Sequence, residues 1–358
     1  MAKARNRANE LRATFEAAGA VVVEPPVLQP AETLLDLYGE DIRARAYITS
    51  DALRGEQMLR PDFTVPVVQM HMAHGAEPAR YTYAGEVFRR QEEDPDRASE
   101  YLQVGYEVFD RTNPAAADAE VFALISDTVS HLDVRAATGD IGILMAAVRG
   151  LKTTDRRKAA LMRHIWRPRR FRALLDRFAG RSPVPPSRAA LLTKTNPLTR
   201  IGPIVGKRTR SEIEARVAAL QKDAVTDPIS AAEMDVIDVL LQVRDVAPFA
   251  IERLRDLAVD MPAIGAAVEG LQTRCDALGA RGVNVDTLPF EASYGRTSME
   301  YYDGFVFGFY VNGRVDLPAL ASGGRYDALT RRLGNGTEIP AVGAVVRPDL
   351  MVELEGGK

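Results

Sequence analysis

The chain has 358 residues, 46% of them hydrophobic and one of them cysteine, enough for one large domain or two ordinary ones. Lys and Arg number 46 against 49 Asp and Glu; a surface that grips nucleic acid broadly carries a clear basic excess, so this balance counts against tRNA as a partner. The lone Cys275 excludes an intrachain disulfide and a cysteine-rich metal site, and no apolar run is long enough to span a bilayer.

Met1-Ala-Lys-Ala-Arg-Asn-Arg7 lacks the apolar core of a signal sequence, so the cytoplasm is the expected location. Residues 3–18 place Leu11, Phe15 and Ala18 on one helical face, with Gly19 able to cap the end. Val21 to Leu28 reads as a strand interrupted by Pro25-Pro26, which suits an edge or an interface. Residues 47–70 predict a short strand, a turn at Arg54-Gly55, and Met58-Leu-Arg-Pro61 leading into an apolar helix. Tyr81–Phe88 and Tyr101–Phe109 alternate like paired antiparallel strands around a charged loop. Residues 116–131 predict a helix, and 133–144 a strand or turn.

From about 150 to 260 the pattern changes. The stretch is basic from Arg156 to Arg177, is broken by Ser182-Pro-Val-Pro-Pro-Ser187, and then reads as helical to about 258. We read it as a helical insertion. Strand signals return at Val283–Leu288, Gly304–Val311 and Arg314–Leu317. Helices packed on antiparallel strands make an α+β fold. The expected organisation is a core in two parts, residues 1–149 and 261–358, with the insertion at 150–260.

Four segments carry chemistry. Tyr101-Leu-Gln-Val-Gly-Tyr-Glu-Val-Phe109 follows Phe88-Arg-Arg-Gln91, and period two puts Gln103, Gly105 and Glu107 on one face. Buried there, the carboxylate and amide need partners; on a solvated face they would be ordinary polar residues. Asp62 and Thr64, two residues apart, suit either an ammonium group or a cap for the next helix. Met299-Glu-Tyr-Tyr-Asp-Gly-Phe-Val-Phe307 has the aromatic content of core packing. Ala321-Ser-Gly-Gly-Arg-Tyr-Asp-Ala-Leu329 has the glycine pair of a tight turn into a helix, alone a weak sign of phosphate binding.

In order and spacing these segments resemble the core of histidyl-tRNA synthetase, a class II aminoacyl-tRNA synthetase. Val23-Glu-Pro-Pro26 is similar to motif 1, the dimer-building segment of that class. Leu59-Arg-Pro-Asp-Phe-Thr64 resembles the segment that holds the amino group of histidine, and Phe88 to Phe109 resembles motif 2. Met299–Phe307 and Gly323-Gly-Arg-Tyr-Asp327 resemble the two histidine-specific signatures. The similarity covers roughly residues 5–148 and 285–350. It implies a class II synthetase-like antiparallel sheet flanked by helices, with Asp62, Thr64 and Gln103 at the ammonium of a bound histidine. Arg89 would face its carboxylate or an adenylate phosphate. Glu107, Tyr302 and Tyr326 would surround the imidazole, where a carboxylate favours the charged ring and phenol hydroxyls satisfy its nitrogens. No metal or cofactor is implied.

The departures from that pattern point to function. Thr297 stands where the synthetase signature has an Arg that assists adenylate formation. Arg296 is one residue off, which on a strand means the opposite face. Gln91 replaces a glutamate that helps bind ATP, and Glu92-Glu-Asp-Pro-Asp96 is acidic where the family is basic, although Arg97 remains. In the run similar to motif 3, Gly343-Ala-Val-Val-Arg-Pro-Asp-Leu350, Leu350 takes the place of the ATP-binding Arg and Arg347 that of a glycine. Phosphoryl chemistry depends on cations at the phosphates, so activation of histidine is expected to be lost. The anticodon-binding domain of the synthetases is also expected to be absent.

A histidine-shaped pocket without means of activation resembles the HisZ family, the histidyl-tRNA-synthetase-like regulatory subunits of ATP phosphoribosyltransferase. The resemblance implies a homodimer within a hetero-oligomer. Its partner would be the short-form catalytic subunit, with histidine as feedback effector on the first step of histidine biosynthesis. The competing readings are a divergent class II synthetase-like enzyme that activates an amino acid, and an RNA-binding relative using the basic run Arg156–Arg172. The plain reading of that run is a solvated helical face.

Overall fold

In the computed structural model, residues 2–38, 45–90, 98–195, 197–199, 202–296 and 301–356 are described. The opening amphipathic stretch forms helix α1 (Ala2–Ala17), which buries Ala4, Ala8, Leu11 and Phe15. Gly19, at φ +95°, turns the chain out of it, in a backbone region where a Cβ is penalised. The proline-interrupted stretch divides into β1 (Val21–Val22) and β2 (Leu28–Pro30), since proline has no N–H for a ladder. Helix α2 (Ala31–Tyr38), the hairpin strands β3 (Ile48–Asp51) and β4 (Gly55–Leu59), and α3 (Thr64–His74) follow.

The long strands β5 (Ala79–Phe88) and β6 (Glu100–Phe109) pair antiparallel along their whole length. Helix α4 (Pro114–Val129) starts at Asn113, whose side chain accepts the N–H of Ala116. Strand β7 (Val134–Asp140) runs into α5 (Ile141–Gly150), capped by Asp140. The stretch after it holds α6 (Asp155–Arg163), α7 (Pro168–Phe178), α8 (Pro186–Leu192), α9 (Arg210–Ala224) and α10 (Ala231–Gln242). Capping boxes open α9 at Thr209–Glu212 and α10 at Ser230–Glu233, each satisfying two otherwise orphaned donors. A short strand that periodicity did not predict, β8 (Arg244–Val246), then leads into α11 (Ala247–Asp260) and α12 (Gly265–Ala280). Strands β9 (Pro289–Glu291), β10 (Phe305–Val311) and β11 (Ala321–Arg325), helix α13 (Asp327–Leu333), strand β12 (Ala341–Val346) and helix α14 (Pro348–Gly356) complete the order.

Nine strands form one sheet in the order β1-β5-β6-β12-β11-β10-β7-β9-β8, and β2-β4-β3 form a small second sheet. All pairs are antiparallel except β1–β5 and β7–β9. This is an α+β arrangement in which helices pack on a largely antiparallel sheet. Helices α1, α4 and α14 lie against it, and α12 lies on α4. Phe122 of α4 sits among Phe305, Phe307 and Phe309 of β10, with ring centroids 5.1–6.1 Å away. No helix among the described residues is long and apolar enough to cross a membrane.

Two expected strands are not strands. Within Val283–Leu288 the chain makes a 3-10 turn at Val285–Thr287, and pairing begins only at Pro289. Arg314–Leu317 is a turn after Gly313 (φ +72°), closed by an Arg314–Asp316 ion pair at 2.7 Å. In both places local hydrogen bonds between near neighbours replace ladder partners.

A buried ionic chain joins the helices to the sheet. Asp118 of α4 accepts from Arg274 of α12 at 2.8 Å and from Arg325 at the end of β11 at 2.7 Å. Arg274 also reaches Asp140 at 2.8 Å, and Arg325 reaches Asp327 at 2.9 Å. Asp118 is 1% exposed, and Arg274 and Arg325 are 7% exposed. Cutting one member leaves its partner charged, buried and unpaired, which costs about 3–5 kcal/mol. Arg274→Ala is therefore expected to lower the stability by that amount in urea titration, against less than about 1 kcal/mol for the exposed Arg255→Ala.

Candidate functional site

The site lies on one face of β6, β12 and β11. Register explains which residues meet there. Gln103, Gly105 and Glu107 alternate onto the same face of β6, while Tyr83 stands opposite Gly105 on β5 and Gly343 opposite Glu107 on β12. Asp62, Thr64, Arg89, Gln103, Tyr301, Tyr302, Ser322, Gly343, Val345 and Arg347 contribute to the lining of one cavity. The cavity measures about 50 Å³, roughly three to five times the space one water needs on the same measure.

Behind the cavity sits Glu107, 1% exposed. Its Oε1 accepts from the hydroxyls of Tyr83 at 2.8 Å and Thr64 at 3.0 Å, and its Oε2 accepts from Tyr326 at 2.5 Å. Burial pushes its carboxyl up to about 7, against the pull of these three donors. Burial and the Glu107 charge together hold the Tyr83 and Tyr326 phenols well above their usual range, so both stay protonated as donors. Glycines make the space: a Cβ at Gly343 would lie 1.5 Å from Glu107 Oε2, and one at Gly105 would lie 2.1 Å from the Tyr83 ring.

Of the seven residues singled out from sequence, Asp62, Thr64, Arg89, Gln103 and Tyr302 line the cavity. Glu107 and Tyr326 are the layer beneath, bonded to each other. Thr64, at the first position of α3, directs its hydroxyl to Glu107 rather than to the helix end. Asp62 Oδ1 lies 3.4 Å from the N–H of Val65, a long helix-capping contact. Arg89 donates Nε to the carbonyl of Pro61 at 2.7 Å. Gln103 is 2% exposed, and its Oε1 has no hydrogen-bond partner among the described residues, a buried acceptor that a ligand donor would satisfy.

Several residues were missed by sequence reasoning. Tyr83 is one, and the β5–β6 register alone would have placed it over Gly105. Arg347, noted only as the replacement for a glycine, lines the cavity with its guanidinium 4.5 Å from the Tyr101 ring centroid. Asp303 accepts the N–H groups of Asp327 and Ala328 at 3.0 and 2.7 Å, fixing the turn that presents Tyr326; burial and then repulsion from Asp327 push its carboxyl up to about 7. Arg296 is not in the lining. It lies in a turn, and its Nε donates to Ile165. Leu350 is buried at 7% exposure in α14. Gln91, the acidic loop 92–96, Arg97, and Thr297 with Met299 and Glu300 lie outside the described residues.

The lining offers a carboxylate, two guanidiniums, an amide and hydroxyls. A small zwitterion matches that set, with its ammonium on carboxylate and amide oxygens and its carboxylate on a guanidinium fork. Among the described residues no cluster of His, Cys, Asp and Glu is disposed to hold a metal ion.

The chain matches the family described as Histidyl-tRNA synthetase over residues 1–201 and 207–350. An ATP phosphoribosyltransferase regulatory subunit from Brucella ovis is 30% identical over 371 residues, covering 98% of this chain and 97% of its own. A structure from Bacillus halodurans, described as an ATP phosphoribosyltransferase regulatory subunit/histidyl-tRNA synthetase, superposes with a TM-score of 0.68 at 22% identity. That match covers 98% of this chain and 79% of the other. The histidyl-tRNA synthetase from Nostoc sp. PCC 7120 superposes with a TM-score of 0.63 at 18% identity, over 99% and 72%. The two structures establish that the fold is that of the class II synthetase core.

The raised Glu107 carboxyl makes stability depend on pH. Its folded value of about 7 exceeds the usual 4.5, so the folded state holds the proton more tightly. The contribution is complete below about 4.5 and is lost as pH rises through about 7. Stability of the native chain relative to Glu107→Gln should therefore fall by up to about 3 kcal/mol between pH 4.5 and 8. Urea midpoints at the two pH values measure this, and a difference that is flat or rises with pH would contradict the assignment.

Proposed function

The chain belongs to the histidyl-tRNA synthetase family and, within it, to the ATP phosphoribosyltransferase regulatory subunits, and from that premise we propose that it is a non-catalytic, cytoplasmic partner of the short-form catalytic subunit. It raises the activity of that subunit and makes it responsive to histidine, which binds in the cavity between Asp62, Gln103 and Arg89. The observation that carries this reading is the cavity lining, set beside one departure from the synthetase pattern. A lining with both signs of charge and an unsatisfied Gln103 oxygen suits an amino acid. At the motif 3 position of the phosphate-binding Arg the chain has a buried leucine, Leu350. Binding without activation is the reading this supports, because a cation that the resembled synthetases place at the phosphates of ATP is missing at that position.

The building block is a homodimer. In support, the segment similar to motif 1 leaves Val27 at 40% and Leu28 at 45% exposed, apolar side chains that a second copy would cover. We divide the chain into a core at 1–149 and 261–358 and an insertion at 150–260, in which the described elements are α6–α11 and β8.

Three measurements test the proposal. The purified chain should show no histidine-dependent exchange between ATP and pyrophosphate. Added to the catalytic subunit, it should raise phosphoribosyl transfer to ATP, and histidine should then inhibit. Histidine at a hundredfold excess over Kd should stabilise the isolated chain by about 2.7 kcal/mol, which raises Tm by several degrees, and Gln103→Ala should reduce that shift. Robust pyrophosphate exchange, or a catalytic subunit whose histidine titration is unchanged by this chain, would sink the reading.

A further inference from the structure

The insertion touches the cavity through a pair of reciprocal hydrogen bonds. The turn joining α6 to α7 carries Ile165 and Trp166. The indole Nε1 of Trp166 donates to the carbonyl of Tyr302 at 3.0 Å. In the opposite direction, Arg296 Nε donates to the carbonyl of Ile165 at 2.9 Å, with its guanidinium 4.9 Å from the centroid of Phe171 on α7. Each side thus gives a side chain to the other's backbone, once at Arg296 ahead of the aromatic signature segment and once at Tyr302 within it.

The seat of Tyr302 is narrow. Its ring lines the cavity, and a Cβ on Gly324 would lie 2.8 Å from that ring. Its carbonyl is held by Trp166, so a shift of Tyr302 toward a ligand must stretch or rotate the indole bond. Arg296 is a costly anchor for the start of that segment. It is 6% exposed, its Nη2 has no hydrogen-bond partner among the described residues, and burial lowers its pKa to about 10. Apolar packing alone would avoid burying a cation, so the geometry favours a role that needs the directional bond to Ile165.

We propose that Trp166 and Arg296 are positioning residues of the cavity, and that through them the helical insertion responds to whether the cavity is occupied. This rests on the reading that the cavity takes a free amino acid. The insertion then has a defined route to carry occupancy outward, through α6 and α7.

The test is spectroscopic, since Trp166 is the only tryptophan in the chain. Free histidine is titrated into the full chain while tryptophan emission and heat of binding are followed together. Emission should shift saturably with the calorimetric Kd. Trp166→Phe keeps most of the packing and loses one hydrogen bond, so histidine affinity should fall roughly 2- to 12-fold. Heat of binding with unmoved emission overturns the inference and leaves the pocket reading standing. Absence of any binding heat overturns the pocket reading and the inference with it. The wild-type titration decides the matter even if the variant folds poorly.

Discussion

A carboxylate buried in the middle of a sheet constrains everything around it. Glu107 is nearly inaccessible and, among the described residues, carries no ion-pair partner at bonding distance; three hydroxyls serve it instead. An unserved charge there would cost several kcal/mol. Hence Tyr83 must lie across Gly105, Gly343 must lack a side chain, Thr64 must turn inward from the first position of α3, and Tyr326 must be delivered at the start of α13. Neutral donors leave the group near the middle of the physiological range rather than far below it, so its protonation state is adjustable where a guanidinium partner would have fixed it. The floor of the cavity is thus rigid in shape and soft in charge.

The opposite logic holds one layer away. Asp118, Arg274, Arg325, Asp140 and Asp327 pair charge with charge, joining α4, α12 and the β11–α13 turn. Arg325 and Tyr326 are consecutive: the first is tied to α4, and the second reaches Glu107 on β6. The same turn therefore anchors to the helical layer and to the ligand floor. Asp303, next to Tyr302, completes it by accepting two N–H groups at the start of α13. Movement at the cavity and movement of the helices are not independent in this arrangement.

Sequence made the sheet and much of the site legible for a definite reason. Period two on β6 states that Gln103, Gly105 and Glu107 share a face, and long alternating strands resist misreading. What it hid was pairing across strands and between distant segments. Tyr83 is found only when β5 and β6 are set in register, and Asp118 with Arg274 are 156 positions apart, each an ordinary charged residue on a helix. The short elements failed for the opposite reason. Three residues of β8 carry no period, and in Arg314–Leu317, expected as a strand, Arg314 and Asp316 pair with each other across a turn instead. Resemblance placed Glu107 at the imidazole, while the packing gives both its oxygens to protein hydroxyls. Three donors occupy a carboxylate with about four acceptor sites, which leaves Oε2 room for at most one further donor.

That distinction bears on how such a site could regulate. A ligand influences a partner only by its differential affinity for two states of the protein, and a coupling of about 1–3 kcal/mol corresponds to roughly 5- to 150-fold in affinity. One buried hydrogen bond made or lost is worth about 1 kcal/mol, so a change at Trp166–Tyr302 together with one at the Glu107 hydroxyls reaches that range without large motion. No new fold is required, because the cavity already touches a nearly closed hydrogen-bond system on its floor and the insertion on its flank. The lining needed for such a bias is present in this chain, with Asp62, Gln103, Arg89 and Tyr302 all facing one cavity.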